Sequence, residues 1–155
     1  MMTYCTISKE RVKKHAEVFT PAGVVFEMVM QEGLHEIFQD VDKTVFDPAV
    51  GEGQFPCAEL VWKMFNQIEN LNEDIALRAL NSLYSMDIQA ESAEKARKHL
   101  LLTLCDAYNF FTGKIFTNIG DAYAIVNKNV MVGDSLKFMN ELAETTNFPK
   151  KRKRH

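Results

Sequence analysis

Three aspartates, Asp47, Asp87 and Asp134, each close a short β-prone run: Thr44-Val45-Phe46, Ser82-Leu83-Tyr84-Ser85-Met86 and Val130-Met131-Val132-Gly133. A carboxylate at a strand end accepts hydrogen bonds from hydroxyl or ammonium groups, and in open α/β sheets the carboxyl ends of the strands are where ligands gather. After Asp47 comes Pro48-Ala49-Val50-Gly51-Glu52-Gly53-Gln54-Phe55. Gly51 and Gly53 allow positive φ and a close approach of ligand to backbone, beside the unpaired N–H groups of a helix expected to begin near Pro56. A Gly-x-Gly pair alone is more often a tight turn than a binding loop. Three acids after three strands, in order, say more than any one of them.

The elements that must position these acids follow from periodicity. Cys57, Leu60, Val61, Met64 and Ile68 recur at helical spacing after the glycine loop. Trp62 and Phe65 read as packing aromatics, residues 66–74 as a loop and residues 75–80 as a further helical turn or two. Residues 90–108 form the clearest helix, with Ala93, Ala96, Leu100, Leu104 and Tyr108 inward and Glu91, Glu94, Lys95 and Lys98 outward. His99 lies beside that apolar stripe as a packed or surface histidine, and His15 and His35 make no metal set. Residues 110–129 read as irregular or partly helical. Upstream, Thr20-Pro21 is a good N-cap and first-turn pair for an amphipathic helix carrying Val24, Val25, Met28, Val29, Ile37 and Phe38.

The segment Asp47-Pro48-Ala49-Val50-Gly51-Glu52-Gly53-Gln54-Phe55 resembles the S-adenosylmethionine-binding loop of class I methyltransferases, in the form used by the DNA N6-adenine methyltransferases. Val50 and Glu52 stand where many members carry Cys and Thr or Ser. Glu17-Val18-Phe19-Thr20-Pro21 is similar to the family's N-terminal motif, whose Thr-Pro turn helps hold the cofactor carboxylate. The resemblance spans residues 12–136 and implies a cofactor site of Phe19, Thr20, Pro21, Asp47, Pro48, Ala49, Gly51, Gly53, Phe55, Asp87, Ile88, Asp134 and Ser135. In it Asp87 would accept from the ribose hydroxyls, Ile88 would pack on the adenine, and Asp134 of Gly133-Asp134-Ser135-Leu136 would accept from the exocyclic amine. The separation of Gly53 from Asp87 exceeds the usual fingerprint of about 20 residues, which an insertion over residues 66–80 would explain.

The expected fold is therefore an incomplete Rossmann-like α/β domain of about three parallel strands with flanking helices, spanning residues 1–149, with a basic tail at 150–155. The family's fourth strand ends in Asn/Asp-Pro-Pro-Tyr/Phe, which holds the flipped adenine. The chain has four prolines, Pro21, Pro48, Pro56 and Pro149, and no Pro-Pro pair; Thr146-Asn147-Phe148-Pro149-Lys150 is at best a degraded copy. The catalytic residues are accordingly unassigned. The expected activity is the cofactor-binding part of a DNA adenine-N6 methyltransferase, needing a partner or a further segment for methyl transfer. The rival is a catalytically dead cofactor-binding or interaction protein derived from one.

Bulk properties bound these readings. The chain has 155 residues, 46% hydrophobic and 25% charged, which suits a folded domain with a real core. Its net charge is −3 although Lys150, Lys151, Arg152, Lys153 and Arg154 form a basic run, so the remainder is acidic. That run is a candidate DNA-phosphate contact or simply a solvated end. No apolar run reaches membrane-span length and residues 9–15 are polar where a signal peptide needs an apolar segment, giving an expected cytoplasmic location and no membrane partner. Cys5, Cys57 and Cys105 lack metal-site spacing and read as reduced structural thiols. An apolar first strand left at a sheet edge would invite a homodimer, a second polypeptide, or a strand from the residues around Asn147.

Overall fold

A computed structural model describes residues 33–145 together with Glu27 and Gln31. The degraded motif at 146–150 and the basic run at 150–154 lie outside the described residues, as does most of the helix expected from Thr20-Pro21. Glu27 is helical, and Ile37 and Phe38, assigned to that helix, fall in a short helix that begins only at Leu34, after Gly33 at φ 91.

Three parallel strands form one sheet in the order β1-β2-β3. They are β1 (Val45–Asp47), β2 (Leu83–Asp87) and β3 (Val130–Val132). Val45 pairs with Leu83 and Asp47 with Ser85; Ser85 pairs with Val130 and Asp87 with Val132. Because side chains alternate along a strand, Val45, Leu83, Ser85 and Val130 share one face. Phe46, Tyr84, Met86 and Met131 share the other.

The first face carries the main core. Against it lie α2 (Gln54–Asn66), α3 (Glu73–Asn81), α4 (Ala90–Thr112) and α5 (Ile119–Asn129). Leu60, Met64, Leu80, Leu83, Leu100, Leu104, Val126 and Val130 are almost fully buried there. The inward stripe read on α4, Ala93 to Tyr108, is buried throughout. A short helix, α1 (Leu34–Gln39), sets Phe38 into a satellite cluster with Val45, Phe55, Ala58 and Trp62. On the opposite face lies α6 (Ser135–Thr145), with Phe138 tilted against Phe46 at 5.7 Å between ring centroids. Helices thus cover both faces of a parallel sheet, a mixed α/β arrangement consistent with part of a Rossmann-like fold.

The local signals explain most boundaries. Asn72 caps α3 by accepting the Ile75 N–H at 2.9 Å, with Glu73 and Asp74 in the first turn where the helix dipole favours acids. Gly113 ends α4 in the left-handed region at φ 70, its N–H returned to the Asn109 carbonyl at 2.8 Å. Asp134 caps α6, its Oδ1 accepting from Leu136 N at 3.0 Å and Lys137 N at 3.3 Å.

Several sequence expectations need correction. Of the two readings of residues 110–129, irregular or partly helical, the second holds: α4 continues to Thr112 and Ile119–Asn129 is a helix that runs directly into β3. Its buried stripe is only Ala122, Val126 and Asn129, and packing against α3 and α4 supplies what that weak pattern lacks. The stretch read as a loop over residues 66–74 contains a 3-10 turn, Ile68–Asn70, and the start of α3. Residues 130–136, read as a strand followed by a turn, form β3 only to Val132, and Ser135 and Leu136 already belong to a helix.

Candidate functional site

The carboxyl edge of the sheet gathers the predicted acids. Asp47 ends β1, Asp87 ends β2, and Asp134 follows β3 by two residues. Between β1 and α2 the glycine loop folds back onto the end of β2. Val50 N–H donates to the Met86 carbonyl at 3.0 Å, and Gly51 N–H donates to Asp87 Oδ2 at 3.0 Å. Gly133 N–H, from the loop after β3, donates to the Asp87 carbonyl at 2.9 Å. The end of β2 is therefore the post to which both neighbouring loops are tied.

Both glycines do what their lack of a side chain permits. Gly51 has φ 55 and Gly53 φ 94. Space around Gly51 is open for 4 Å, whereas a Cβ on Gly53 would lie 3.2 Å from Ala96 Cα. Gly51 keeps the loop accessible, and Gly53 lets α2 begin hard against α4.

Asp47 is held differently from the other two. Its Oδ1 accepts the Ala49 N–H at 3.0 Å, while Oδ2 is buried with no hydrogen-bond partner among the described residues. Burial raises its pKa above the usual carboxylate value, the Ala49 N–H lowers it, and the nearby charge of Asp87 raises it. A buried acceptor oxygen at a strand end suits an ammonium or hydroxyl donor.

Asp87 already uses both oxygens, Oδ2 for Gly51 and Oδ1 for the Gln89 N–H at 2.8 Å. Each carboxylate oxygen retains a lone pair for a further donor. Ile88, next in the chain, is 71% exposed, an apolar side chain presented at the edge. Pro48 and Ala49 are exposed in the loop, and Ser135 opens α6 behind its Asp134 cap. Phe55 turns away from the edge to pack on Phe38. Phe19, Thr20 and Pro21 lie outside the described residues.

Some residues that shape the edge carried no functional weight in the sequence. Glu52 is buried, its Oε1 3.3 Å from Lys95 Nζ, and its carbonyl accepts from His99 Nδ1 at 2.6 Å. His99, read only as packed or surface, is thus a clasp of α4 on the glycine loop. Lys63 is fully buried: its ammonium donates to the carbonyls of Asp40 at 3.1 Å, Val41 at 3.4 Å and Lys43 at 2.6 Å, and to Ser82 Oγ at 2.7 Å. Glu59, one turn before Lys63 on α2, is also buried, and burial with the field of Asp47 pushes its carboxyl up to about 8. A signal was available in both cases, since Glu59 and Lys63 fall on the stripe of Pro56, Leu60 and Met64, where a charged residue must be paired or functional.

A cleft of about 440 Å³ lies between α6 and the sheet, lined by Thr44, Phe46, Tyr84, Met131, Phe138, Met139, Leu142 and Ala143. None of the edge acids lines it. Comparison with known proteins adds no relative: no protein-family model, no curated protein and no solved structure matches the chain.

Proposed function

We propose that this chain binds S-adenosylmethionine, or its demethylated product, at the carboxyl edge of the sheet, as the cofactor-binding part of a DNA adenine-N6 methyltransferase. The observation that carries the reading is the convergence of Asp47, the Gly51–Gly53 loop and Asp87 at one edge, with a buried Asp47 oxygen open to a donor. The residues present fit such a group. Asp47 Oδ2 suits its ammonium, the spare lone pairs of Asp87 its ribose hydroxyls, and the exposed Ile88 its adenine ring. Bound there, the cofactor would supply an electrophilic methyl group; this chain's own residues would hold and orient it. Residues 1–155 contain no Asn/Asp-Pro-Pro-aromatic segment to grip a target adenine, so methyl transfer would draw it from a partner polypeptide or a further segment.

Calorimetric titration of the full chain with S-adenosylmethionine and S-adenosylhomocysteine tests the reading. Saturable binding is expected, weakened roughly 10- to 100-fold in Asp87→Ala, because a charge-assisted acceptor is worth about 1.5–3 kcal/mol. Absence of heat from the intact chain at millimolar ligand would refute it.

A further inference from the structure

The buried face of α2 holds an unused carboxyl group beside the proposed site. Lys63 and Glu59 are one helical turn apart, about 6 Å along the axis. Lys63 sits at the amino end of the strands, bonded to the carbonyl of Lys43 just before β1 and the hydroxyl of Ser82 just before β2. The turn toward the N-terminus of α2 approaches the glycine loop, and Glu59 is on it. Its side chain is more than nine-tenths buried, at 8% exposure, and no hydrogen bond reaches its carboxyl group among the described residues. Asp47, on the same sheet face as Val45, presents Oδ2, also buried and without a partner. Glu59 feels the charge of Asp47, Oδ2 of Asp47 has no hydrogen-bond partner among the described residues, and no hydrogen bond joins the two carboxyl groups.

We propose that Glu59 is the second carboxyl group of the ligand site and that, with Asp47, it brackets the cationic amino group of an adenosyl amino acid. This rests on the cofactor reading above and deepens it by naming the part of the ligand recognised. An ammonium donates three hydrogen bonds and carries the charge that two neighbouring carboxylates require before both can ionise. The groups facing Glu59 are Asp47 from β1, which raises its pKa, and Lys63 from α2, which lowers it; Asp87 from β2 acts on Asp47. With burial the largest influence, Glu59 titrates at about 8 and is mostly protonated at neutral pH. Docking of an ammonium would release that proton to solvent, leaving the carboxylate paired with the cation. Affinity for an amino-bearing ligand therefore rises between pH 6 and 7.5, whereas a ligand without the amino group shows no such rise.

The test compares the full chain with Glu59→Gln by calorimetry, using S-adenosylhomocysteine and 5′-methylthioadenosine, an adenosine thioether without the amino-acid group. The isosteric amide is expected to weaken S-adenosylhomocysteine about tenfold while leaving 5′-methylthioadenosine unchanged. Titrations at pH 7 in buffers of different ionisation enthalpy are expected to show proton release for the wild type with S-adenosylhomocysteine alone, and less of it in the variant. Unchanged affinity for S-adenosylhomocysteine, or equal loss for both ligands, would overturn the role of Glu59 and leave the cofactor reading standing. Failure of the wild type to bind either ligand would overturn both. Should the variant not fold, the wild type still decides, because equal proton release with the two ligands would exclude an amino-group subsite.

Discussion

Lys63 shows how much one residue can govern here. A buried ammonium is costly unless its donors are satisfied, and four oxygens satisfy it: three carbonyls of the segment leading into β1 and the hydroxyl that precedes β2. Burial pulls its pKa down to about 8 while Asp40, Glu59 and Asp42 hold it up, so it stays charged at neutral pH. Lys63→Met would strand those acceptors, and a loss of about 3 kcal/mol or more is expected in urea unfolding. Glu59 sets an opposite slope with pH. Its folded pKa of about 8 exceeds the ordinary 4.5, so its contribution to stability is fully present below 4.5 and lost as pH rises through 8. Lys63 is protonated in folded and unfolded chains below about 7, so it adds little slope there. Melting temperature should fall from pH 5 to 7.5 in the wild type and fall less in Glu59→Gln; parallel profiles would contradict the burial of this carboxyl group.

At the scale of elements, the strand-loop-helix unit of β1 and α2 is held from outside rather than by its own capping. Gly53, the residue before α2, contributes no side-chain cap, and its φ of 94 fits only glycine comfortably. Asp87 from β2, with Lys95 and His99 from α4, fastens the loop instead. Gly51→Ala and Gly53→Ala should consequently differ. The first meets only the left-handed penalty, on the order of 1 kcal/mol. The second adds a Cβ 3.2 Å from the Ala96 backbone, which must move α4 or α2, and should cost roughly 2–4 kcal/mol. Chemical denaturation of the two variants measures the gap, and equal losses would mean that the close approach of α2 to α4 is not a constraint.

For the molecule as a whole, cover is uneven. Among the described residues, four helices bury one face of the sheet and α6 alone crosses the other, with the apolar cleft beneath it and Leu136, Met139 and Leu142 exposed. Elements with few buried contacts open at lower free energy than core strands. Amide hydrogen exchange should thus be slowest in β2, which is paired on both sides, and in α4 over residues 93–104. It should be markedly faster along α6. Uniform protection would indicate that something further covers the cleft in solution.

Much of this architecture was legible in the residues alone. Alternation and acid-terminated runs located all three strands, and periodicity located α2 and α4, because those signals are local: side-chain direction repeats every two residues in a strand and about every 3.6 in a helix. The glycine loop and the acids at the strand ends belong to that local register too. What sequence could not supply was whatever depends on a distant partner. Residues 119–129 became a helix because α3 and α4 provide a surface for Ala122 and Val126, not because the segment's own pattern demands it. Glu59 and Lys63 stand on the apolar stripe of α2 in one dimension, but the groups that would meet them are not written there. Only when α2 docks on β1 and β2 does water leave them, and a charge gains its pKa and its role from the groups that replace the water. The same holds for Asp87, whose place at a strand end was written in the chain, while its bond to Gly51, 36 residues away, was decided by the parallel pairing of β1 with β2.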